Sequence, residues 1–324
     1  MKVPRFAAAA VVLAALSAPA AAQQTMTIAT NPQGSIFYTV GTSVAKLMND
    51  KLGLHVLVRP TAGSTSNVPP LDRGEIEFAI LNIVDVNGAY EATDHFEGQP
   101  AAKNLRLMTP IFQVLFGLAV PDDSPFQQIR DIKGARMPTE YPAQRAVVPS
   151  IKAFLANGGL TFDDMKPFPV SNYIKGIEAL GDGKVDVAAV GPDTAATAEL
   201  HAKLRSHGGL RVLPVDTSPE AWGRLQKLFP SMKWVMLKPT PTMPAIRSEI
   251  PVTTSGVFMV TNEKMPADMI YKVVKTIRDS RAELIAMHPI FNSFNPDQMA
   301  DVATTPYHDG AQKLLKELGQ WPPK

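Results

Sequence analysis

Residues 71–81 read LDRGEIEFAIL, and residues 180–190 read LGDGKVDVAAV. Each stretch ends a helical segment, turns through Gly74 or Gly183, places an acid and enters an apolar run. Each then delivers a loop carrying an aspartate, Asp85 or Asp193, at the head of another helical segment. A supersecondary unit that recurs roughly 110 residues later constrains the chain to two similar lobes. The sequence around the first copy has the same character. TMTIAT at residues 25–30 alternates like a strand, and Val40, Val44, Leu47 and Met48 recur at helical spacing within residues 37–52. Gly53 is placed to stop that helix. A strand HVLVRP, a polar loop TAGSTS, a short helix near residues 68–72 and a strand IEFAILN follow. Alternating strands and helices predict an α/β lobe with largely parallel pairing.

The second lobe is expected to begin after the turn PDDSP at residues 121–125. Its helix at residues 151–157 sets Ile151, Phe154 and Leu155 on one face, with Gly158 and Gly159 as its C-cap. Residues 237–251, LKPTPTMPAIRSEIP, hold too much proline for a helix or a central strand and read as the return crossing. The expected division is residues 23–118 with 252–324 as lobe one and residues 119–251 as lobe two. Two crossings leave a cleft with a hinge behind it.

Lys2 and Arg5, the apolar run from Ala7 to Leu16 and the small residues before Gln23 form the layout of a secretory signal peptide. Residues 1–22 are therefore expected to be removed on export to the periplasm. With Lys2 and Arg5 gone, basic and acidic residues are equal in number, so nothing points to nucleic acid or an anionic membrane. No later run is long and apolar enough to span a bilayer. The absence of cysteine excludes thiol catalysis and disulfides. His308 in TPYHDGA has no second histidine nearby and reads as a packing or capping residue rather than a metal ligand. No motif joins a nucleophile to its base, and no cofactor or metal is expected.

In open α/β lobes, ligands lie beyond the carboxyl ends of the strands, where loops lead into helices. Four loops qualify, at residues 31–35, 63–67, 82–85 and 191–194. The first precedes a helix whose free N–H groups suit an anion. In the second, Asn67 reads as an N-cap behind Ser64, Thr65 and Ser66, and Pro69 and Pro70 delete backbone donors from the first helical turn. Asp85 and Asp193 each stand at a helix start, where capping is the ordinary role of an acid and ligand contact the alternative. A fifth stretch, TEYPAQRAVVPS, holds Arg145 between Pro142 and Pro149. Pro149 lacks the N–H that would bond the carbonyl of Arg145, so the arginine is expected just before a helix or at its kinked first turn. With Tyr141 beside it, Arg145 is the first choice for a carboxylate clamp.

Taken together, TIATNPQGSIFYTVGTSVAKLMN, GSTSNVPPLDRGEIEFAILNIVDVNGAY, IEALGDGKVDVAAVGPDTAATAEL and TPYHDGAQKLLKELG resemble the TAXI group of TRAP-transporter solute-binding proteins. The resemblance spans nearly the whole chain after the leader. It implies a type II periplasmic-binding fold, two α/β lobes closing on one solute, and hand-over to a membrane permease without a chemical step. By position it places ligand contacts at Gly34, Ser35, Phe37, Tyr38, Ser64, Asn67, Asn82, Asp85, Gly191, Pro192, Asp193 and Thr194. Thr65, Tyr141 and Arg145 join them from the residue-level reading. Where the group commonly has a glycine- and serine-rich loop, this chain has MPTEYPAQRA, and TPTMPAI lacks the group's tyrosine. The expected function is capture of a small organic anion, a mono- or dicarboxylate, by a monomer that delivers it to a permease. The alternatives are a sensory binding protein for a kinase and an exported hydrolase using Asp85 or His308.

Overall fold

The computed structural model describes residues 25–323, apart from residues 32, 34, 62, 94–95, 143–146, 231 and the side chain of Ser64. The expected leader, residues 1–22, lies outside the described residues. The chain opens with β1 (Thr25–Thr30), α1 (Ile36–Leu52), β2 (His55–Pro60), α2 (Ser64–Arg73), β3 (Phe78–Asn82) and α3 (Ile83–Glu91). β1 pairs in parallel with both β2 and β3. β4 (Leu105–Pro121) then runs 17 residues from the first lobe into the second. There the chain forms β5 (Arg136–Glu140), α4 (Val147–Asn157), β6 (Lys166–Pro169), α5 (Tyr173–Gly181) and β7 (Ala188–Val190). It continues through α6 (Ala195–Lys203), β8 (Leu210–Val212), α7 (Pro219–Leu228) and β9 (Lys233–Leu237). β10 (Ile250–Asn262) returns to the first lobe, which α8 (Ala267–Asp279), α9 (Arg281–Met287) and α10 (Asp309–Glu317) complete.

The crossing is the structural centre. β4 and β10 lie antiparallel along most of their length, and the first-lobe sheet orders β2-β1-β3-β10-β4. In the second lobe, β9 pairs with the start of β10, while β7 and β8 pair with the end of β4. All three pairings are antiparallel, and among the described residues parallel strand pairs are limited to β1 with β2 and β3 and the separate β5–β6 pair, beside an isolated parallel bridge between Leu107 and Tyr307. The reason is connectivity: a chain that leaves by one strand and returns by its neighbour must run antiparallel. This also corrects the reading of residues 237–251. They precede the crossing, and the hinge itself is a pair of continuous strands. Pro110, inside β4, falls at a register shift opposite Val257 and Phe258, where its missing N–H breaks no regular ladder bond.

Buried apolar side chains fall into clusters on either side of that crossing. The first gathers Ile28, Val44, Leu71, Ile80, Phe258 and Leu315. The others gather Ile132, Phe154, Leu213 and Leu225, and Leu180, Val190, Leu204 and Val252. The repeated unit takes one geometry in both lobes. Gly74 and Gly183 adopt φ of 75° and 67°, and each closes its helix with the same pair of bonds. Gly74 N and Glu75 N donate to the carbonyls of Leu71 and Pro70, while Gly183 N and Lys184 N donate to those of Leu180 and Ala179.

His308 is buried and caps α10: its Nδ1 accepts from Gly310 N at 3.2 Å, and its Nε2 lies 3.0 Å from the Met265 carbonyl. The carbonyl fixes Nε2 as the donor, so the ring is neutral, and burial holds its pKa below the usual histidine value. A depressed folded-state pKa gives stability that is present above the unfolded value, about pH 6.5, and lost as pH falls below it. Melting temperatures measured from pH 7.5 down to pH 5 are expected to fall more steeply for the wild type than for His308→Asn, which keeps a capping oxygen.

Candidate ligand cleft

A cavity of about 530 Å³ lies between the lobes, against the crossing strands. Its first-lobe wall is built from helix starts: Ile36 and Phe37 of α1, Gly63 and Thr65 of α2, and Asn82 and Val84 of α3. The second-lobe wall is built the same way, from Val147 of α4, Tyr173 of α5 and Thr194, the N-cap of α6. Val114, Leu115 and Phe116 of β4 and Thr253, Thr254 and Ser255 of β10 form its back. Six helices thus turn their N-terminal ends to one space, because the strands that feed them all end there. Each end carries backbone N–H groups without helical acceptors and the positive end of a dipole. Among the described lining residues there is no lysine or arginine, and Asp85 is the one acid.

The helix starts are not equivalent. Ser35 Oγ accepts from Tyr38 N, Asn82 Oδ1 from Val84 N and Thr194 Oγ1 from Thr197 N. α2 starts at Gly63 with no side-chain cap. Gly63 adopts φ 136° and ψ −168°, a region essentially closed to residues with a Cβ, and thereby turns the chain into α2. Facing it, the buried Oδ1 of Asn31 has no hydrogen-bond partner among the described residues. The lobe-one loop therefore sets a helix start without a side-chain cap beside an amide oxygen that lacks a partner, and a flip of that amide would present its Nδ2 instead. This corrects the sequence reading of α2. The helix begins at Ser64, so Pro69 and Pro70 fall at its sixth and seventh positions. The donors they delete would serve the carbonyls of Thr65 and Ser66, and the first-turn donors are intact.

The second-lobe loop is held by its own side chains. Gly191 N donates to Tyr173 Oη at 2.5 Å, and Thr194 Oγ1 and Thr197 Oγ1 donate to Gly191 O at 2.9 and 2.8 Å. Burial raises the pKa of the Tyr173 phenol, so it stays neutral at physiological pH. Tyr173 also packs against Phe116, with ring centroids 5.9 Å apart, and Phe116 leans on the buried Phe154 at 5.5 Å.

Of the expected contacts, Phe37, Thr65, Asn82, Asp85, Gly191 and Thr194 line the cavity. Ser35, Tyr38, Pro192 and Asp193 sit at the same loops but do not line it. Asp193 precedes the N-cap of α6 rather than opening the helix; its carboxyl is exposed, and desolvation by nearby protein still raises its pKa. Asn67 is no cap. It lies inside α2, fully buried, where Thr61 Oγ1 donates to its Oδ1 and its Nδ2 donates to the Thr30 carbonyl. Tyr141 belongs to the second-lobe core, 2% exposed, with burial raising its phenol pKa. Gly34, Arg145 and the Ser64 side chain lie outside the described residues. Residue reading named the loop that holds Asn31 without singling that residue out, and missed Phe116, Tyr173, Phe229, Met232 and the Thr253–Ser255 run of hydroxyls. Of these, only the three hydroxyls in a row within an otherwise apolar strand left a mark in the sequence.

Residues 28–319 match the model of the NMT1-like family. Among solved structures, the periplasmic aliphatic sulphonate binding protein SsuA from Escherichia coli is 16% identical, with a TM-score of 0.50 over 91% of this chain and 85% of that one. PhnD1 from Prochlorococcus marinus, solved in complex with methylphosphonate, is 10% identical, with a TM-score of 0.52 over 92% and 98%. A TctC solute binding protein from Polaromonas is 12% identical, with a TM-score of 0.51 over 83% and 86%. At such identities the likeness is one of fold, and the fold is the two-lobed one of periplasmic binding proteins.

Proposed function

The chain belongs to the NMT1-like family, and from that premise we propose that it is an exported solute-binding protein that captures a small organic anion and delivers it to a membrane permease. The observation that carries this reading is the convergence of six helix N-termini on one inter-lobe cavity. Free N–H groups and dipole ends favour negative charge there without any cation on the described walls. Lobe closure about the β4–β10 strands would exclude water and strengthen every such bond. A carboxylate is the first candidate for the head group, with Arg145 completing its contacts from the second lobe, and a TRAP-type permease is the proposed recipient. Pro142 and Val147, the described residues that bracket Arg145 in the chain, both line the cavity. Catalysis through His308 has no support, since its Nδ1 caps α10 and its Nε2 is held by the Met265 carbonyl.

A thermal-shift screen of the purified protein against carboxylates, sulfonates, phosphonates and amino acids tests the reading. A true ligand at a hundred times its Kd adds about 2.7 kcal/mol of stability and is recovered chemically unchanged. Stabilisation by neutral or cationic compounds alone would sink the anion assignment.

A further inference from the structure

Resting on the anion reading, we infer that the solute is an aryl-bearing monocarboxylate rather than a short dicarboxylate. The two walls of the cleft differ in what they leave unsatisfied. On lobe one, the start of α2 has no side-chain cap and gives a head group backbone donors, beside an Asn31 amide oxygen that has no partner among the described residues. Across from them lie the crossing strands and lobe two, where hydroxyls of the strands and of the α6 loop are taken up within the protein. Thr253 Oγ1 donates to the Phe116 carbonyl, Thr254 Oγ1 to Gln113 Oε1 at 2.9 Å, and Thr194 Oγ1 to the Gly191 carbonyl at 2.9 Å. What those elements present instead is apolar: Phe116, Val147, Phe229, Met232 and the ring of Tyr173.

A second carboxylate placed against the Phe116, Phe229 and Met232 face, away from the helix starts of either lobe, would lose its hydration without gaining donors there. An aromatic body, in contrast, meets a corner already ordered for it. Phe116 is fixed from behind by Phe154, and Tyr173 is pinned through its hydroxyl by Gly191 N. Their planes are inclined by 42°, so a third ring stacked offset on one meets the other at a tilted angle. Preordered side chains lose little entropy on binding, which favours a rigid flat ligand over a flexible chain. A cavity of about 530 Å³ also leaves room for a ring beside the head group.

The test is calorimetric titration of the full exported chain with 3-phenylpropanoate, glutarate and 3-phenylpropanamide, repeated on Phe116→Leu. The aryl acid is expected to bind the wild type at least tenfold tighter than either of the others. Phe116→Leu, which keeps an apolar side chain against Phe154, is expected to weaken it about tenfold, or ~1.4 kcal/mol, with the unliganded melting temperature recorded alongside. Glutarate binding as tightly as the aryl acid, no binding by the aryl acid, or an unchanged affinity in Phe116→Leu overturns the inference and leaves the anion reading standing. The amide binding as tightly as the acid overturns the anion reading, and the monocarboxylate assignment with it.

Discussion

Arg145→Ala is expected to weaken capture of the anionic solute by roughly 30-fold to several thousand-fold, the 2–5 kcal/mol typical of removing one partner from a desolvated, hydrogen-bonded charge pair. The unliganded protein should melt almost unchanged, since a side chain that serves only the ligand contributes little to the empty fold. Two facts about the neighbouring residues motivate the assignment. α4 begins at Val147 with Pro149 in its first turn, so no helical N–H at position 149 can engage the carbonyl of Arg145. The flanking residues Pro142 and Val147 both line the cleft. Arg145→Lys separates charge from geometry. An ammonium keeps the attraction but loses the two-pronged fork, so an intermediate affinity is expected. Isothermal titration of the three proteins with one anionic ligand decides it, and equal affinities would remove Arg145 from the site.

Much of the scaffold was legible because it is written in local chemistry. Gly74 and Gly183 were identified as turn residues from spacing alone, and both close their helices through the same left-handed bond pattern. The strand-to-helix loops were legible for the same reason, since polar residues interrupt apolar runs where strands end. The hinge was not. Residues 237–251 attracted attention for their prolines, whereas the true crossings, β4 and β10, are ordinary apolar runs whose length exceeds what one lobe needs. Register between distant strands is a long-range property, and local composition carries no trace of it. Within the site, Tyr141 and Tyr173 show the same limit. Tyr141 lies ahead of α4 and Tyr173 opens α5, yet one is core and the other lines the cleft, and the difference lies in packing against partners far along the chain. Gly176 packs against the Tyr141 ring, and a Cβ there would stand in ordinary contact with its hydroxyl at 3.4 Å. Asn67 failed as a cap because the N-cap of α2 lies four residues earlier, at Gly63, whose φ only the fold reveals.

The largest expected loss of stability lies far from the cleft, at Gly310. This residue is the second of α10, at the point where that helix crosses α8. A Cβ built there would stand 2.1 Å from the Ala267 carbonyl oxygen and 2.9 Å from Tyr271 N. Both are backbone atoms of a neighbouring helix, so no rotamer change relieves the overlap; the helices must separate. Overpacking of this kind costs about 3 kcal/mol, and more where the backbone cannot shift. For a chain of this size, Gly310→Ala is therefore expected to lower Tm by roughly 5 °C. Separation would also strain the His308 cap, because the same turn supplies Gly310 N to its Nδ1. The α8–α10 pair packs on the first-lobe core and contributes no residue to the cavity wall. The folded fraction of Gly310→Ala should accordingly bind the solute with wild-type affinity while melting early, the opposite of the Arg145→Ala profile. Differential scanning calorimetry paired with titration below the transition reads both quantities on one sample. A variant that keeps its Tm would show that the helices part without cost, and one that loses affinity while folded would tie α10 to the cleft.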